Sequence, residues 1–134
     1  QDGSYPKSLP RGRCLMARIR TLKPTFWGSR PVAALSRDAR LLAIGLISMA
    51  DDDGRFLAAP AAINGYVFPN DDLPTSKVRK WLDECTATGL VHEYGEGIRY
   101  GVLPTWHGHQ VIHRYTPSTL PEPDVQCTPR KGTK

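Results

Sequence analysis

Pro74-Thr75-Ser76-Lys77-Val78-Arg79-Lys80-Trp81-Leu82-Asp83-Glu84-Cys85-Thr86-Ala87-Thr88-Gly89 decides the fold, together with the residues that follow it. Val78, Trp81, Leu82 and Cys85 recur at i, i+3, i+4 and i+7, which gathers apolar side chains on one side of a helix. Pro74-Thr75-Ser76 opens that helix, and Gly89 stops it at the C′ position after about Thr88. Next come Leu90-Val91-His92-Glu93-Tyr94, the turn Gly95-Glu96-Gly97, and Ile98-Arg99-Tyr100-Gly101-Val102-Leu103, which read as a β-hairpin with a three-residue loop.

Upstream, Pro60 starts a short helix through Val67, with Ile63 and Val67 at i, i+4. Arg55-Phe56-Leu57 suits a short strand, preceded by the turn Asp51-Asp52-Asp53-Gly54. Ser36 is a good N-cap for a helix from Arg37 to Ala50. Leu41, Leu42, Ile44, Leu46, Ile47 and Met49 make that helix apolar all round, which predicts the buried helix of the domain. Pro31 to Leu35 adds one helical turn, and Pro24-Thr25-Phe26-Trp27-Gly28 predicts a turn that packs two aromatics on the core. Helix, short strand, helix, helix, hairpin is the layout of a winged helix-turn-helix. The expected fold is therefore α+β, with three main helices, a short strand and a C-terminal hairpin wing.

A chain of 134 residues with 40% hydrophobic content is the length of one domain and can bury a core without metal or disulfide staples. The apolar run Leu41 to Ala50 is about half of the roughly 20 residues a membrane span needs. No secretory h-region is visible in the first 30 residues, and the three widely spaced cysteines, Cys14, Cys85 and Cys127, argue against a disulfide framework. The expected location is the reducing cytosol. Residues 1–15 read as a disordered extension or a stretch derived from cloning, with Met16 the more natural start. Residues 16–114 read as the folded domain, and 115–134, with Pro117, Pro121, Pro123 and Pro129, as a tail or linker.

The net charge of +5 is unevenly placed. Residues 1–30 carry seven Lys/Arg against one acidic residue, residues 31–114 carry eight against ten, and residues 115–134 carry three against two. The basic excess thus belongs to the N-terminal arm. On the third helix, the side opposite the apolar stripe offers Ser76, Lys77, Arg79 and Lys80 to phosphates or base edges of duplex DNA, with Asp83 and Glu84 one turn on opposing phosphate. A plain solvated helix face is the competing reading. Arg18, Arg20 and Lys23 of the arm are candidates for phosphate contacts, against a solvated strand edge. Arg99 is the one cation near the hairpin tip, where Glu96 is acidic, and it pairs as readily with Glu93 or Glu96.

His107-Gly108-His109 and His113 lie close together, but no CxxC accompanies them, so no metal is expected. No Gly-rich phosphate loop, GxSxG or HExxH is present, and Cys85 sits at a core position. Neither an enzyme nor a cofactor is expected.

Met16-Ala17-Arg18-Ile19-Arg20-Thr21-Leu22-Lys23-Pro24-Thr25-Phe26-Trp27, Val32-Ala33-Ala34-Leu35-Ser36 and Arg40 to Leu46 resemble the N-terminal domain of bacteriophage replication-initiation proteins, the replisome-organiser group with a DnaD-type winged helix. Ala50 to Arg55, Phe68-Pro69, Leu82 to Leu90, Trp106 to Gln110 and Pro117 to Pro121 extend the likeness over about residues 16–121. The resemblance implies a phage or prophage protein in the bacterial host cytosol. It would bind origin DNA, self-associate as a homodimer, or support loading of a replicative helicase or other replication protein. The alternative is a protein–protein or dimerisation module using Phe26, Trp27, Tyr66, Phe68 and Trp106, or a transcriptional regulator on the same fold.

Overall fold

A computed structural model describes residues 18–131. The expectations for residues 1–15, for Met16 as a start and for Cys14 lie outside the described residues.

Two short turns lead into the domain, a 3-10 turn at Pro24–Gly28 and helix α1 at Arg30–Ala33. Then follow α2 (Arg37–Met49), β1 (Arg55–Leu57), α3 (Pro60–Val67), α4 (Thr75–Ala87), β2 (His92–Tyr94), β3 (Tyr100–Val102) and α5 (Trp106–His109). The architecture is α+β. The described residues hold five α-helices, where the sequence predicts three main ones; the additions are the four-residue α1 and α5. The turn expected at Pro31 to Leu35 starts one residue earlier, at Arg30, and ends at Ala33, whereas nothing in the pattern of Trp106-His107-Gly108-His109 signals α5.

Local chemistry sets the boundaries. The Ser36 hydroxyl accepts the Ala39 amide at 3.2 Å and starts α2. Pro60 occupies the first turn of α3, where its missing N–H costs nothing. At the end of α4, Gly89 takes φ +83°, a conformation most side chains avoid.

Helices α2, α3 and α4 pack on one another. Leu42 and Leu46 of α2, Ile63 of α3, and Val78, Leu82 and Cys85 of α4 are fully buried there. Each large apolar side chain so placed contributes about 1.5–3 kcal/mol of transfer free energy. Cys85 sits at 0% exposure, and burial, with a smaller contribution from Glu84, pushes its thiol up to about 12, so it remains a core residue. The all-round burial expected of α2 is not observed. Leu41 is 51% exposed, and Ile44, Ile47 and Met49 are half-buried, because α3 and α4 cover only one side of the helix.

The three strands form an antiparallel sheet in the order β1-β3-β2. Phe56, Gly101 and Glu93 align across it. A Cβ on Gly101 would collide with the Phe56 ring, so the absent side chain lets that buried ring lie across β3. The hairpin connection is five residues, Gly95 to Arg99, where the sequence predicts three. Gly95 and Gly97 both have positive φ and open the loop, while the Arg99 carbonyl accepts the Ala58 amide beyond β1 at 3.0 Å.

The segment expected as a tail or linker lies on the outer face of this sheet without regular secondary structure. Arg55 donates to the Leu120 carbonyl at 3.1 Å, the Tyr94 hydroxyl to the Pro121 carbonyl at 2.7 Å, and the Thr128 amide to the Pro104 carbonyl at 2.8 Å. His92 meets Asp124 at 2.6 Å. Helices cover one face of the sheet and this Pro-rich strap covers the other.

Candidate nucleic-acid interface

Helix α4 turns Val78, Trp81, Leu82 and Cys85 inward, which leaves Ser76, Lys77 and Lys80 exposed on its outer side. Lys77 and Lys80, three residues apart, lie on one face. Neither forms an ion pair among the described residues.

The carboxylates that would repel phosphate are turned to other tasks. Glu84 accepts the Ser36 amide at 2.9 Å and the Ser36 hydroxyl at 3.0 Å, at the start of α2. Asp83 accepts two bonds from Arg79, at 2.7 and 3.0 Å. Arg79 also reaches Glu93 on β2 through both of its terminal nitrogens. Hydrogen bonding to Glu93 outweighs burial and, with Asp83, raises the guanidinium's affinity for its proton. Arg79 is therefore a strut between α4 and the hairpin, and its charge is already matched. Arg99, in the hairpin loop, pairs with neither Glu93 nor Glu96; its guanidinium binds the Gly95 carbonyl across the loop.

All three arm cations bond to the domain, with the Arg20 side chain buried, Arg18 half-buried and Lys23 exposed. Arg20 has a side chain only 5% exposed and meets Asp52 at 3.0 Å, the Ala50 carbonyl at 2.9 Å and the face of Trp106 at 5.0 Å. Arg18 lies 3.4 Å from Asp52 and donates to the carbonyls of His113 and Arg114 and to the Thr116 hydroxyl. Lys23 donates to the Gly108 carbonyl at 3.2 Å. The Gln110 side chain closes the arm with two bonds to the Thr21 backbone.

Asp51-Asp52-Asp53-Gly54, expected only as a turn, joins both ends of the described chain. Asp51 Oδ1 accepts the amides of Asp53 and Arg55, which shapes the turn, and Asp51 Oδ2 accepts the Ser118 hydroxyl at 2.5 Å. Asp52 holds Arg18 and Arg20 and accepts the Thr116 amide at 2.9 Å. Asp53 accepts from the Tyr115 hydroxyl, the Ser118 amide and the His107 ring. Gly54 at φ +76° completes the turn, and a Cβ there would stand 2.6 Å from Trp106. The only sequence signal for this clasp is a run of three acidic residues facing a distant Tyr-Thr-Pro-Ser; separations near 65 residues hide such pairings from any local pattern.

Burial alone would raise the Asp53 carboxyl, but the bonds from Ser118, Tyr115 and His107 together bring it below its ordinary 3.8. Its contribution to stability is present above that value and is lost as pH falls through the lower folded value. Burial, then the bond to Asp53, pushes the Tyr115 hydroxyl up to about 12, and burial pushes Tyr94 to about 12. Their protonated forms are favoured by folding, so this contribution is full below about 10 and disappears as pH rises through about 12. Tyrosinate absorbance should accordingly show two groups ionising near 12, and Tyr115→Phe should remove one of them while also weakening the acid transition.

Of the aromatics suggested for a protein partner, Phe68 and Trp106 are buried at 5% and 3%, and Phe26 packs against the core. Trp27 and Tyr66 are exposed, and Tyr66 bonds the hydroxyl and carbonyl of Ser48. Among the described residues, no cluster of three His, Cys, Asp or Glu is placed to hold a metal ion, and no helix is long and apolar enough to cross a membrane. No family model, curated protein or solved structure matches the chain.

Proposed function

We propose that the chain is a DNA-binding winged-helix protein of phage or prophage origin, acting in replication initiation by origin binding or replisome organisation. The observation that carries this reading is the outer face of α4. Its neighbouring carboxylates are engaged by Arg79 and Ser36, which leaves Ser76, Lys77 and Lys80 facing solvent as the first turn and a half of the helix. The helix-strand-helix-helix-hairpin order, with β1 beside β3, supports a winged-helix arrangement in which α4 would enter the major groove. Lys77 and Lys80 supply the direct phosphate or base contacts. Arg79 acts indirectly, by fixing the hairpin relative to α4. Arg18, Arg20 and Lys23 hold the arm on the domain, so the arm adds less phosphate affinity than its charge suggests.

Fluorescence anisotropy on random duplex DNA across a salt series tests this. Each phosphate contact contributes about 0.9 to the slope of log affinity against log salt. Lys77→Ala with Lys80→Ala should lower that slope by about 1.8, whereas Arg18→Ala should leave it nearly unchanged. An unaltered slope in the double variant refutes groove contact by α4.

A second reading, a module that binds a replication protein or a second copy, is favoured by the exposure of Ile19, Trp27 and Leu41, at 101%, 56% and 51%. Light scattering that shows a concentration-dependent dimer, with no DNA binding at low salt, would select it.

A further inference from the structure

A cavity of about 630 Å³ opens between the arm and the domain. Its walls include Leu22, Phe26, Val32, Ile47, Leu103 and Trp106. Native interiors pack to crystal-like density, and an apolar space of this size falls within the range that small-molecule sites occupy. Beside the neutral hydroxyl and amide groups of the lining, such as Thr105 and Gln110, its titratable groups are all basic. Lys23 and His109 line the space, and among the described residues no Asp or Glu does. Among those residues the Lys23 ammonium has only the Gly108 carbonyl as a partner.

We propose that this cavity binds an amphipathic monocarboxylate, with its apolar body against Phe26, Ile47 and Trp106 and its carboxylate on Lys23. Lys23 is an exposed residue of the lining with no Asp or Glu beside it there among the described residues, a charge pattern that favours a molecule carrying one anionic head over a neutral or cationic one of the same body. A charge-assisted hydrogen bond is about twice as strong as a neutral one, and supplies the discrimination. The site lies apart from the outer face of α4 and does not depend on DNA binding.

Titration calorimetry of the full chain with decanoate, decanol and decyltrimethylammonium, all as monomers, tests the assignment, with Trp fluorescence as a second readout. Decanoate should bind one to one and at least about tenfold more tightly than decanol, and the cation should not bind. Lys23→Gln should bring decanoate down to the level of decanol. Gly28 lines the space, and a Cβ there meets nothing within 4 Å, so Gly28→Phe should occupy part of the cavity and weaken both ligands without lowering the melting temperature. Thr25→Phe, on the same wall, provides a second filling variant. Equal binding of decanoate and decanol overturns the role of Lys23. Absent binding, non-saturating binding, or saturable binding indifferent to both filling variants overturns the site.

Discussion

Asp52→Ala should destabilise the domain by about 3–5 kcal/mol, the range for removing one partner of a buried ion pair. Asp52 is 2% exposed, and its side chain neutralises Arg20, itself 5% exposed, while also accepting the Thr116 amide and facing Arg18. Once the carboxylate is gone, the Arg20 guanidinium keeps only the Ala50 carbonyl and the Trp106 ring. At about 4 °C per kcal/mol, the melting temperature should fall by about 12–20 °C. The cause is the stranded charge, so combining Asp52→Asn with Arg20→Met should recover part of the loss. Thermal melts of the three proteins decide it. A fall of under about 1 kcal/mol in Asp52→Ala would show that the pair is solvated.

Trp106→Ala should cost a comparable about 3–5 kcal/mol. The ring is 3% exposed, packs over Gly54, stacks beneath Arg20, and donates its indole N–H to the Asp52 carbonyl at 3.0 Å. Trp106→Phe separates the contributions. It retains most of the apolar volume but leaves the Asp52 carbonyl without its donor, for an expected loss of about 1–3 kcal/mol. Trp106 and Asp52 share Arg20 as a partner, so their losses should not add, and a double-mutant cycle in urea measures that coupling. Additive losses would mean that the ring and the ion pair act independently.

The elements with strong periodicity could be read from the sequence. The stripe of α4, the Ser36 cap of α2, the Pro60 start of α3 and the short strand at Arg55 each rest on a rule spanning a few neighbouring residues. What escaped was set by tertiary contact. The exposure of Leu41 depends on which side of α2 the other helices cover. The Arg99 carbonyl, read as part of the second hairpin strand, is instead taken by the distant Ala58 amide beyond β1. Arg18 and Arg20 read as a cationic arm because their partner, Asp52, is distant in the chain. In the candidate interface, Lys77 and Lys80 could be picked out by position alone. That Arg79 is bound by Glu93, and that Glu84 is drawn to Ser36, could not.

The clasp at Asp51 to Asp53 also has a kinetic meaning. Arg18 bonds the backbone and side chains of residues 95 to 98 positions away, whereas the contacts among α2, α3 and α4 span much shorter loops. Closing so long a loop carries the larger entropic cost, so the helices can assemble first and the two ends can dock afterwards. Unfolding should run in the reverse order. Under native conditions the amides of Thr116 and Ser118 should then exchange with solvent through a low-energy opening that leaves the helical core protected, and the arm and strap should be released together.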